Sequence, residues 1–201
     1  MNSMKKTLIA AMCAALVAVV EAAPKIKVKA EPDPAFDFAT VKSWAWDADG
    51  GDVIMARTAK DDPAPLKARV DPLIRKFAGT AMTQKGLADA GSGTPSVYLH
   101  YYVLVTVNQS GQYMGQFLPS VYYWGLPPFA PVATSLEVTT KGSLVIDALL
   151  PGEAGNRKVV WRGMAESTLA DDIKDAQREA RLKYASEELV KRFPLQMAKK
   201  K

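Results

Sequence analysis

Apolar and polar positions alternate with a period of two over Leu144, Ile146, Ala148 and Leu150 against Val145, Asp147 and Leu149, the pattern of a strand with one preferentially buried face. Leu136 and Val138 alternate likewise. Antiparallel pairing on a shared face then sets Val138 opposite Leu144 and leaves Thr140, Lys141 and Gly142 as a hairpin loop. The last residue of such a loop adopts left-handed backbone, which glycine accepts without a Cβ penalty, and Gly142 stands there. A second turn, carried by Pro151, Gly152, Gly155 and Asn156, returns into Val159, Trp161 and Arg162. With Trp161 inward, the register sets it opposite Ala148, Val159 opposite Leu150 and Arg162 opposite Asp147. The two charges then pair on the open face, where an ion pair contributes at most about 1 kcal/mol.

The longest strand pattern precedes these. Val97, Leu99, Tyr101, Val103, Val105 and Val107 share one face, and Tyr98, His100, Tyr102, Leu104 and Thr106 share the other, which is partly apolar. Nearer the start, Lys25 to Lys29 alternates lysine with Ile26 and Val28, a short first strand. After a turn at Pro34, a second strand ends at Trp46, and Asp47 to Asp52, with paired glycines, reads as a loop. Trp44 and Trp46 read as one strand face packed under a helix rather than as an exposed stacking platform.

Helical spacing appears twice. Leu66, Val70, Leu73, Ile74, Phe77 and Ala81 predict a helix running to about Lys85, capped by Gly86, with Pro72 at its start or at a kink. Asp171 and Asp172 open a last helix whose expected buried stripe is Ile173, Ala176, Ala180, Tyr184, Leu189, Val190 and Phe193. The order of elements predicts an α+β domain: an antiparallel β-sheet of about five to six strands with two α-helices packed on one face.

Composition adds the compartment. Residues 1–22 carry Lys5 and Lys6, an apolar run from Leu8 to Val20 and a small-residue cleavage pattern at Val20, Glu21 and Ala22, which together read as a secretory signal peptide. Residues 23–201 then form a single domain with an aromatic, proline- and glycine-rich insertion at 108–135. The one cysteine, Cys13, falls in the leader, so the mature chain has neither disulfide nor thiol chemistry. Met12 occupies the place where a lipid anchor needs a small residue, so no lipid anchor is expected and the mature protein is placed in the periplasm or outside the cell. No transmembrane span is expected after signal cleavage. Losing Lys5, Lys6 and Glu21 lowers the net charge of +5 by one unit. The basic residues form no strip interleaved with aromatics, which speaks against a nucleic-acid partner.

Candidate chemistry is thin. His100, the single histidine, is the obvious general base, yet no serine elbow and no second histidine or cysteine ligand accompanies it, so a structural histidine is expected, with no catalytic, cofactor or metal residues assigned. The insertion interleaves its glycines and prolines with Tyr122, Tyr123, Trp124 and Phe129, aromatic residues suited to an exposed contact surface.

Several short patterns occur in a characteristic order: Phe36-Asp37-Phe38, Ser43-Trp44-Ala45-Trp46, a helix closing on Lys85-Gly86-Leu87, Gly142 to Asp147, and Val160-Trp161-Arg162-Gly163. In this the mature chain resembles the bacterial envelope family known as domain of unknown function 4136. Many members resemble lipoproteins; this sequence departs from them in lacking an anchor cysteine, and its aromatic insertion has no matched counterpart. The resemblance implies no activity and no site residues.

Two function classes remain. One is a non-enzymatic module binding an unknown envelope protein or a hydrophobic ligand through Tyr122, Tyr123, Trp124 and Phe129, joined by Tyr98, His100 and Tyr102. The other is a small hydrolase using carboxylates such as Asp147 and Glu166 as acid and base. The binding module is favoured, because a carboxylate pair can be drawn on almost any sheet.

Overall fold

The apolar face of Val97, Leu99, Tyr101, Val103 and Val105 lies at the centre of the fold, all five residues buried on strand β4 (Val97–Val107). A computed structural model describes residues 25–56, 62–107, 140–153, 157–169 and 174–196. Besides β4 these form β1 (Lys27–Pro32), β2 (Ser43–Ala56), helix α1 (Ala64–Gln84), the short β3 (Ala88–Asp89), β5 (Thr140–Leu149), β6 (Val159–Thr168) and helix α2 (Asp175–Lys191). The strands make one six-stranded sheet in the order β1-β6-β5-β4-β2-β3. Both helices pack on the face that carries Leu99 and Tyr101, where Ile74 and Met82 of α1 and Leu189 of α2 join the main core. The fold is thus α+β, as the order of elements implies.

The sheet is mixed, not antiparallel throughout. β1, β6, β5 and β4 pair antiparallel, whereas β2 runs parallel to both β4 and β3. The period of a strand carries no direction, and it is the crossover that decides. The 21-residue α1, roughly 30 Å long, returns the chain to the start of the sheet before β4. α1 begins at Ala64 and continues through Pro72, then closes on Gly86 at φ 94°. There the Leu87 amide donates to the Met82 carbonyl and the Gly86 amide to the Thr83 carbonyl, a Schellman motif that folds Leu87 back on the last turn.

The register of β5 and β6 matches the parity argument at its centre, with Asp147 opposite Arg162 and Ala148 opposite Trp161. It departs beyond, where a shift after Ala148 sets Val159 opposite Leu149 instead of Leu150. Gly142 is not a turn residue. It lies inside β5, paired with Val105 and Ser167, without a positive φ. A Cβ there would come within 2.9 Å of the Leu169 side chain, so the glycine serves close packing. Leu136 and Val138 lie outside the described residues.

The buried stripe of α2 is also rotated from expectation. Ala185, Ser186, Leu189 and Val190 are buried, while Ala176 and Ala180 are exposed and Tyr184 is 39% exposed. Alanine is compatible with either face, and the larger Leu182, packed against the core, sets the orientation. Asp171, Asp172 and Ile173 lie outside the described residues.

Candidate functional site

The sheet face opposite the helices carries the charged groups. Instead of ending at Trp46, β2 continues through a bulge. Its ladder with β4 pairs Trp46 with Leu99 and resumes with Gly51 opposite Tyr101, so residues 47 to 50 stand against His100 alone. Gly50 makes this possible with φ 64°, a region where a side chain is strained. On the helix side the Arg75 guanidinium fills the space a Cβ of Gly50 would need and lies 5.1 Å over the Trp46 ring, and Lys67 Nζ donates to the Gly51 carbonyl.

The bulge delivers two carboxylates to one imidazole. Asp47 Oδ2 lies 3.5 Å from His100 Nδ1, and Asp52 Oδ2 lies 3.3 Å from His100 Nε2. Asp47 also accepts from Arg157, whose guanidinium stacks 4.0 Å over the Tyr98 ring. Tyr102 packs its ring 4.7 Å from His100, and burial, with the negative charge of Asp147, pushes its phenol above the ordinary range. Tyr98, His100 and Tyr102 are therefore brought together, His100 buried and the two tyrosines half-buried. Tyr122, Tyr123, Trp124 and Phe129 lie outside the described residues.

This arrangement limits the chemistry. A general base needs a free nitrogen facing substrate, and both nitrogens of His100 face carboxylates. The two carboxylates approach opposite ring nitrogens, so they do not converge with the imidazole on one cation, and no metal-binding group of three or more such residues occurs among the described residues.

Asp147 lies opposite His100 on β5 and is fully buried. Arg162 grips it with two hydrogen bonds of 2.6 and 2.5 Å. Burial pushes the Asp147 carboxyl up, and the guanidinium opposes that push while its own pKa is held above the usual value by the carboxylate. The pair expected on an open face is thus a buried one, because apolar Leu104, Val145 and Met164 share this face and are buried with it. Glu166 is engaged by Lys141 at 3.1 Å. It is four residues from Arg162 along β6, which sets it roughly 13 Å from the level of Asp147. Paired glycosidase carboxylates stand only about 5 to 9.5 Å apart.

Beneath the bulge, Asp71 of α1 accepts from Tyr101 Oη at 2.6 Å and from Arg75 Nε at 3.0 Å. Burial works to raise the Asp71 carboxyl, but these hydrogen bonds and the charges of Arg75 and Lys67 outweigh it and hold the group below its ordinary value. A carboxyl lowered in the folded state stabilises the fold above its unfolded value, about 3.9, and loses that contribution as pH falls through the folded value. Thermal melts should therefore show Asp71→Asn less stable than wild type at pH 6, with the gap closing below about pH 4. A gap independent of pH would contradict the assignment.

On the other side of the sheet a cavity of about 350 Å³ opens between α1, α2 and the ends of β2, β4, β5 and β6. Its walls include Met55, Val70, Val103, Val105, Leu144, Ala165 and Leu182, and its mouth carries Asp62, Arg69, Arg178 and Arg181. No run of the sequence announces it, since its lining comes from every long element and each residue taken singly reads as core or surface.

Residues 28–195 match the family described as a domain of unknown function, DUF4136. The chain belongs to the DUF4136 family. No curated protein matches it. Among solved structures it is similar to a DUF4136 family protein from Bacteroides thetaiotaomicron, at 13% identity and a TM-score of 0.44, covering 85% of this chain and 96% of that one. It is also similar to the PelC dodecamer from Paraburkholderia phytofirmans, at 13% identity and a TM-score of 0.34, covering 88% and 99%. A minor lipoprotein from Acinetobacter baumannii matches at 12% identity and a TM-score of 0.29, covering 70% and 86%. No helix among the described residues is long and apolar enough to cross a membrane.

Proposed function

We propose that this DUF4136 protein is a non-enzymatic binding module that works in the bacterial envelope after export and takes a hydrophobic ligand. The observation that carries the reading is the apolar cavity between the helices and the sheet, whose volume of about 350 Å³ falls at the lower end of small-molecule sites. The charged cluster on the opposite face supports it, because His100, Asp147 and Glu166 each already face a partner of opposite or complementary charge. The leader at residues 1–22 supplies the route to the envelope. The aromatic residues Tyr122, Tyr123, Trp124 and Phe129, with Tyr98, His100 and Tyr102, are proposed as a separate contact surface for an envelope partner.

Native mass spectrometry of the protein expressed with its own leader and recovered gently from the periplasm tests both halves. The expected result is a polypeptide starting at Ala23 that carries a small-molecule adduct released on denaturation. An unprocessed chain would overturn export, and a bare polypeptide mass in every preparation would overturn the binding role.

A further inference from the structure

We infer that the cavity takes a single-chain amphiphile with an anionic head, the chain lying between the two helices and the sheet and the head resting on Arg181. This rests on the binding-module reading and specifies its ligand. The walls, among them Val70, Val105, Leu144 and Leu182, offer no charge to a ligand, so the part that enters is hydrocarbon. A volume of about 350 Å³ suits one chain and not the two of a diacyl lipid.

The mouth is cationic on balance, with Arg69, Arg178 and Arg181 against the single carboxylate of Asp62. Arg69 and Arg178 both reach Asp175, at 3.4 and 2.5 Å. Arg181 differs: among the described residues its guanidinium meets the Thr168 backbone carbonyl at 3.2 Å and no carboxylate. A guanidinium stays charged at any physiological pH and presents a planar fork of donors that matches a carboxylate or a phosphate ester. Arg181 thus lies half-buried at the edge of an apolar cavity with its charge uncompensated within the described fold. A fatty carboxylate and a lysophospholipid phosphate share the chemistry that fits it.

Calorimetric titration of the mature protein with laurate, 1-dodecanol and acetate, each below any micelle concentration, separates chain from head. Laurate should bind one per chain, acetate not measurably, and dodecanol at least tenfold more weakly than laurate. Arg181→Gln should weaken laurate about tenfold and leave dodecanol unchanged. Arg69→Gln, at a half-exposed position, provides a second variant with a smaller effect in the same direction, should loss of the Thr168 contact disturb folding. Lauryl phosphate in place of laurate distinguishes the phosphate head from the carboxylate by which binds more tightly, either result supporting the anionic class. Equal affinity for laurate and dodecanol, or an Arg181→Gln variant that is folded and binds laurate normally, would overturn the anionic head while leaving the binding module standing. Failure of both laurate and dodecanol to bind the folded protein would overturn the two together.

Discussion

Truncating Trp161 to alanine should destabilise the protein by about 3 to 5 kcal/mol in denaturant melts, the range for removing a large aromatic side chain from a core that cannot collapse around the void. Trp161 is 1% exposed and packs its ring 5.3 Å from that of Phe193, which in turn lies 5.6 Å from Phe38. The residue therefore ties β6, the segment after α2 and the turn after β1 into one aromatic cluster. Its Nε1 finds no acceptor among the described residues, so nothing polar is lost with the indole. Trp161→Phe, which keeps most of the ring volume, should cost less than half as much. A loss under about 1 kcal/mol for the alanine variant would mean the ring is not in the core.

The second large effect lies on the opposite face. Asp147→Leu leaves the Arg162 guanidinium buried at 5% side-chain exposure with no partner and no means of losing its charge. Such a change costs about 3 to 5 kcal/mol. Replacing both members, with Asp147→Leu and Arg162→Met, removes the unpaired charge and should recover at least half of that loss, because desolvation offsets much of the attraction within a buried pair. An exposed pair behaves otherwise, each single variant staying within about 1 kcal/mol. Single variants in that small range, or a double variant as unstable as the sum of the singles, would contradict burial of the pair.

These two residues also mark how far the sequence could be read. Parity along β5 and β6 was enough to set Trp161 opposite Ala148 and Arg162 opposite Asp147, since a slip of one residue exchanges the faces. Parity does not tell whether the second face is wet, and Asp147, read as outward, is outward and buried at once. The bulge in β2 was hidden for a different reason. Paired glycines after Trp46 signal a chain reversal as readily as a bulge, and only the Arg75 and Lys67 contacts from α1 distinguish them. The clamp on His100 follows from that bulge, so its two carboxylates were visible as residues and not as neighbours. Strand direction was likewise illegible where α1, and not a tight turn, joins β2 to β4. The cavity is a property of six long elements together, and no single stretch of the chain carries its pattern.

Methyl-resolved NMR with laurate as the added ligand tests the central claim, that the cavity is where the protein binds. The two faces of the sheet supply an internal control: Val70, Leu144 and Leu182 line the cavity, while Leu104 and Val145 lie in the separate apolar cluster on the other side. The expected result is intermolecular nuclear Overhauser effects from the laurate methylenes to methyls of the first three and none to Leu104 or Val145. Effects confined to Leu104 and Val145, or a ligand that contacts no buried methyl at all, would contradict it.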